Sequence, residues 1–232
     1  MTGRAPLPDR FLGAWRRESL ELPDAGGGPF EKQRVLWLQA ASAFADVRVP
    51  LAAGDPDPQA APVSFAGVTS WDGRSLCWHR DLDLHRVTEA DEGEITWDGT
   101  SMIETGSFTF GGVRQPYREV WVRDDAVVLP RLALRSTDDT ARLVQVGDHA
   151  ITVADERSGR DEGHGRDGRS GRDGGWYRAC YRRRVDGAWQ EISTVGDHAA
   201  ALPPPPAIDG VEPGDTIRYG GRVWLVEECT SA

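Results

Sequence analysis

Asp46 and Arg48 stand two residues apart in the run Phe44 to Pro50 (FADVRVP). In an extended strand, side chains two apart share a face, so Phe44, Asp46 and Arg48 point one way and Ala45, Val47 and Val49 the other. If the apolar face packs as core, Asp46 and Arg48 form a solvated pair worth little in stability. If the charged face lines a lumen, the pair can anchor a polar head group by charge-assisted hydrogen bonds. Glu104 lies in the otherwise neutral run SMIETGSF, where a buried carboxylate needs a partner. Arg118, expected across a neighbouring strand, is the partner this predicts, and general acid or base chemistry is the sharper alternative. In Pro116 to Arg123 (PYREVWVR), Tyr117, Glu119, Trp121 and Arg123 share one face and Arg118, Val120 and Val122 the other. Trp37, in Arg34 to Ala40 (RVLWLQA), and Trp121 supply flat wall area of the kind that small-molecule sites use. The predicted ligand contacts are therefore Trp37, Asp46, Arg48, Glu104, Arg118, Glu119 and Trp121. No residue is singled out as catalytic.

Other chemistries find no matching pattern. His79 and His85 lack H-x-H or H-E-x-x-H spacing and are expected at the surface, so no metal site is predicted. Alternation in Ser75 to Leu84 places Trp78, Arg80, Leu82 and Leu84 on one face and Cys77, His79, Asp81 and Asp83 on a wetter one. Cys77, Cys180 and Cys229 are odd in number and lack C-x-x-C spacing, which predicts reduced thiols. There is no G-x-S-x-G elbow, no P-loop and no dinucleotide fingerprint. Haem ligation would have to come from His149 or His198. No cofactor is expected.

The elements that must position these residues have a period of two almost throughout, and a period of 3.6 almost nowhere. Turn signals separate the runs, among them Trp71-Asp72-Gly73, Asp98-Gly99, Gly111-Gly112 and Asp186-Gly187. Ten to twelve antiparallel strands are implied. A meander of that many strands leaves exposed edges unless it closes, which favours a barrel over a two-sheet sandwich. Asp215 to Tyr219 and Arg222 to Glu228 flank Gly220-Gly221 and predict a terminal hairpin. Arg157 to Gly175 carries repeated Gly-Arg-Asp triplets and no large apolar residue except the approach to Trp176, and reads as an insertion. Pro203 to Pro206 reads as a stiff spacer. Val146-Gly147-Asp148-His149 recurs as Val195-Gly196-Asp197-His198, either as a shared turn type or as a trace of two related halves.

The chain has 232 residues, with 37 Asp and Glu against 27 Lys and Arg, a formal net charge of -10 and nine Trp. The acidic balance argues against nucleic-acid binding, which rests on cationic charge. No apolar run near 18 residues and no basic-plus-apolar leader is seen, so a membrane span and a signal peptide are not expected and a cytoplasmic protein is. Lys32 is the single lysine, and with the Ala and Gly richness this usage points to a GC-rich, bacterial source.

Phe11-Leu12-Gly13-Ala14-Trp15 resembles the entry strand of lipocalin-like barrels, in which the Trp plugs the closed end and an Arg stacks on it. Arg222 is the residue this suggests for the stacking role. The order Trp97, Glu104-Thr105-Gly106, Phe110-Gly111, Arg118-Glu119-x-Trp121 and Gly220-Gly221-x-x-Trp224-x-Val226 resembles the lipocalin-like family of the yeast casein-kinase-interacting protein and its bacterial relatives, from about Trp15 to Glu228. The resemblance implies an all-β chain of two barrel-like units, at 10–135 and 140–229, and no established activity. It is consistent with a small hydrophobic or amphipathic ligand held in a cavity. A barrel isomerase, cyclase or lyase using lumen carboxylate and Arg groups is the alternative, and a scaffold with a protein partner is a second.

Overall fold

The computed structural model describes residues 6–26, 28–55, 57–87, 89–110, 112–124, 129–157, 175–198, 201–207 and 210–231. These form fifteen strands and three short 3-10 turns. The first eight are β1 (Gly13–Glu21), β2 (Gln33–Gln39), β3 (Phe44–Pro50), β4 (Val63–Trp71), β5 (Ser75–Asp83), β6 (Asp91–Asp98), β7 (Ser101–Phe110) and β8 (Val113–Arg123). They run as an antiparallel meander whose last strand pairs with the first, closing a barrel and leaving no edge. The other seven are β9 (Arg131–Ser136), β10 (Ala141–Val146), β11 (His149–Asp155), β12 (Tyr177–Val185), β13 (Ala188–Gly196), β14 (Thr216–Tyr219) and β15 (Arg222–Thr230). They form one sheet in the order β13-β12-β11-β10-β9-β15-β14.

The second unit is thus an open sheet among the described residues, where a second barrel-like unit was expected. Its inner face is covered partly by a segment that has no strand pairing, and Leu202 of that segment enters the core formed by Leu132, Leu134, Leu143, Trp224 and Val226. Arg182 fixes the segment by donating to the carbonyls of Leu202 (2.5 Å) and Pro203 (3.1 Å). The prolines that follow have no N–H to give to a ladder, so this stretch cannot serve as a closing strand. β9 belongs to this sheet, and the last strand of the barrel ends at Arg123. The terminal hairpin forms as predicted, with Gly220 and Gly221 both at positive φ (57° and 79°). The insertion read from the sequence falls mostly outside the described residues.

The barrel and the sheet share a dry interface. Leu36, Leu38, Ala45, Val47, Ala66 and Leu82 on the barrel's outer wall pack against Val144, Val146, Ile151, Val153, Ala179 and Tyr181 of the sheet. The alternation read in β3 therefore resolves in favour of both alternatives at once. Its apolar face is core, and its charged face is turned into the barrel.

One barrel end is sealed. The 3-10 turn Asp9–Phe11 places the Phe11 ring 4.9 Å from Trp71 and 5.6 Å from Trp97, while Trp15 lies 6.1 Å from Trp37. An arginine does stack on Trp15, but it is Arg123, at 4.7 Å, and not Arg222. Arg123 ends the strand that closes the barrel, and it ties the plug down by donating to the carbonyls of Leu12 (2.6 Å) and Arg10 (2.7 Å). Arg222 belongs to the other sheet and pairs with Glu156.

Candidate functional site

The opposite end of the barrel is open. A cavity of about 330 Å³ lies there, with Leu20, Val63, Phe108 and Tyr117 on its apolar side and Arg17, Arg48, Arg80, Asp91, Glu104 and Glu119 on its charged side. Beneath it is an inner chamber of about 10 Å³, enough for one water, lined by Trp37, Asp46, Phe65, Trp78, Trp121 and, again, Arg48, Asp91 and Glu104. Trp78 and Trp121 both meet Trp37 edge-on, at 5.6 Å and 5.7 Å.

Two β-bulges decide which charges enter. In β1 the register shifts between Arg17 and Ser19, so Trp15 and Arg17 face inward and then Leu20 does. In β5 it shifts after Arg80, so Trp78 and Arg80 face the lumen while Leu82 joins the outer interface and Asp83 is buried beside Arg80. A bulge adds one residue and reverses the side-chain parity beyond it. That is why strict alternation misplaced Leu82 and Asp83.

The lumen charges form a chain of pairs. Arg17, 4% exposed, holds Glu31 (2.7 Å) and Glu119 (2.5 Å) and also reaches Gln33 (3.1 Å). Arg48 holds Asp46 through two contacts, 2.9 Å and 3.4 Å. Arg80 holds Asp83 (3.1 Å) and Asp91 (2.6 Å). Arg48 and Arg80 also lie over the Phe65 ring, at 5.2 Å and 4.1 Å. Burial pushes the Asp46 carboxyl up, and the adjacent Arg48 offsets only part of this. Burial alone would lower Arg48, but Asp46 and Glu119 more than reverse that and hold its charge firmly.

Glu104 is different. One carboxylate oxygen accepts from the Tyr117 hydroxyl (2.6 Å) and the other from the Trp121 indole N–H (3.0 Å), both neutral donors. Burial, followed by the negative charges of Glu119 and Asp91, raises it well above the ordinary carboxylate range. Tyr117 is raised too, by burial and then by Glu104. Two glycines clear the space these groups occupy. A Cβ at Gly93 would stand 2.5 Å from the Glu104 side chain, and one at Gly106 would stand 2.6 Å from the Tyr117 hydroxyl. A carboxyl that favours its protonated form, next to open volume, can exchange a proton with a bound molecule.

Of the residues expected here, Trp37, Asp46, Arg48, Glu104, Glu119 and Trp121 converge on the lumen. Arg118 does not. In the β7–β8 register Glu104 faces Glu119 and Thr105 faces Arg118, which leaves Arg118 on the outer wall, 3.9 Å from Glu21. Sequence reasoning did not place Arg17, Arg80, Asp83 and Asp91 at the site. Arg80 and Arg17 carried a readable signal, each being two residues from a Trp of the lumen, Trp78 and Trp15, whereas Asp83 depends on a bulge. His149 is fully buried with its Nδ1 3.0 Å from the Tyr181 hydroxyl, and His198 is exposed beside Thr194, so neither faces the lumen. His79 is half-buried with its Nε2 2.9 Å from the Ser70 hydroxyl, and His85 is exposed. Cys77, Cys180 and Cys229 form no disulfide among the described residues, and burial pushes the Cys180 thiol up to about 12. Among the described residues, no helix is long and apolar enough to cross a membrane.

Fold and site together define a closed eight-stranded antiparallel barrel, sealed at one end and charged inside, built onto an open seven-stranded sheet. The chain belongs to the family described as Protein HRI1, whose model matches residues 14–228. That span begins within β1 and ends within β15, so it takes in both units. No curated protein and no solved structure matches the chain.

Proposed function

We propose that the barrel binds one small amphipathic molecule at its open end, in the manner of a lipocalin-like carrier. The observation that carries this reading is the mouth cavity itself: about 330 Å³, apolar on one side, with the Glu104 carboxyl reaching it unpaired to any cation. This volume lies within the range of small-molecule sites, and convergent polar groups on one side fix orientation. The apolar body of the molecule lies along Leu20, Val63, Phe108 and Tyr117, and its head group reaches down toward Glu104. The test is tryptophan emission during titration with neutral amphiphiles of graded chain length, because Trp37 and Trp121 lie directly below the cavity. A saturable shift is expected, and it should be lost when Ala61→Trp fills the mouth. An emission spectrum indifferent to the whole series overturns the proposal.

Acid–base catalysis on the bound molecule is the second reading, and the environment of Glu104 favours it. Its two hydrogen-bond donors are neutral and its carboxyl borders open volume, as a proton-transfer group requires. Wild-type protein in D2O should then place deuterium on carbon in a bound ligand, and Glu104→Gln should not. A ligand recovered without carbon-bound deuterium leaves carriage alone.

A further inference from the structure

We infer that the head group bound at Glu104 is a cation, an ammonium carried by an amphipathic amine; the inference rests on the reading of the lumen as a binding site. The charges of the lumen do not balance. Around the cavity and the chamber, three arginines, Arg17, Arg48 and Arg80, face four carboxylates, Asp46, Asp91, Glu104 and Glu119. Every arginine is already held by at least one carboxylate, so an anionic head group meets no uncommitted cation. It would instead approach Asp91, Glu104 and Glu119, which converge on the same opening. A neutral head group leaves the carboxylate excess as it is. A cation removes it.

The surroundings of Glu104 carry both signs of charge. β8 presents Tyr117 and Glu119, β6 presents Asp91, β3 presents Asp46 with Arg48, β5 presents Arg80 and β1 presents Arg17. The indoles of Trp37, Trp78 and Trp121 wall the chamber below, and aromatic rings attract cations through their quadrupole. The Phe65 ring already receives two guanidinium groups in this way. A second observation points to a ligand independently of charge. Trp37 is 1% exposed, lines the chamber, and its indole N–H has no hydrogen-bond partner among the described residues. A buried donor of this kind calls for an acceptor.

Binding then replaces one positive charge with another. The proton held by Glu104 leaves to bulk solvent as the ammonium arrives, and the carboxylate so formed pairs with it. Raising the pH removes the competing proton, so amine affinity rises with pH until the amine itself is deprotonated.

The experiment is calorimetric titration of the full chain with octylamine, octanol and octanoate, each in two buffers of different ionisation enthalpy. Octylamine is expected to bind at least about tenfold more tightly than octanol, with octanoate weakest and with release of up to about one proton per amine bound. Glu104→Gln should remove the preference for the amine over octanol. If that variant does not fold, proton release by the wild type decides alone. Octanol binding as tightly as octylamine, or amine binding without proton release, overturns the cation inference and leaves the binding site standing. Failure of all three ligands to bind overturns both.

Discussion

The barrel and the open sheet differ in the charge they bury on their inner faces. One side of the sheet is covered by Leu132, Leu134, Leu143, Trp224 and Val226, and its other side presses Val144, Ile151 and Val153 against the barrel wall. The barrel instead buries a chain of arginines and carboxylates beneath an open mouth. Burial of apolar surface is the cheap source of stability, whereas desolvated charges cost free energy that pairing only partly returns. On the proposed reading, stability is placed in the sheet and its interface, and binding in the lumen.

Four substitutions sharpen or break that contrast. The largest effect is expected from Arg17→Met, which strands Glu31 and Glu119 beside each other without their cation. It should cost about 4 kcal/mol in urea unfolding, as for other buried pairs broken from one side. A loss near zero would mean that water reaches the lumen charges freely. Next comes Ile151→Ala, in the centre of the barrel–sheet interface with no exposed surface. A loss of about 3 kcal/mol is expected, with ligand affinity unchanged. If affinity fell with it, the separation of the two roles would fail.

Glu104→Gln should stabilise the protein, and the gain should depend on pH. The folded carboxyl is raised above its unfolded value by burial and by Glu119 and Asp91. Above the ordinary carboxylate range the unfolded chain has released this proton while the folded chain still holds it. Wild-type stability therefore declines as the pH rises from that range toward the raised value. The variant lacks this decline, so its advantage in thermal unfolding should be small at pH 4 and larger at pH 8. A constant advantage across that range would show that Glu104 titrates normally. The smallest effect is expected from Arg118→Ala, whose partner Glu21 lies 3.9 Å away on the outer wall. Stability should change by less than about 0.5 kcal/mol and ligand binding not at all.

Legibility in the sequence followed the regularity of the backbone. In β3, where the pairing is unbroken, alternation alone separates Asp46 and Arg48 from Ala45 and Val47. The Gly220-Gly221 turn states its own chemistry. The arginine that stacks on Trp15 could not be identified before the closing strand was known to be β8. Arg118 was misplaced by one residue of register, since the β7–β8 pairing sets Glu119 opposite Glu104 and turns its neighbour outward. The bulges in β1 and β5 leave no mark in composition, yet they bring Leu20 and Asp83 inward. The open sheet was hidden for another reason. Strand-like patterning reports which residues pair, and closure depends on what lies at the two edges, here β13 and β14.

Native mass spectrometry tests the central claim most directly. Wild-type protein and the Ala61→Trp variant, each offered the same amphipathic amine, are compared with the same samples after denaturation. A one-to-one adduct on the wild type that denaturation strips, and that the filled mouth prevents, is the predicted result. A wild type that carries no adduct, or a variant that carries the same one, would contradict a binding site in the lumen.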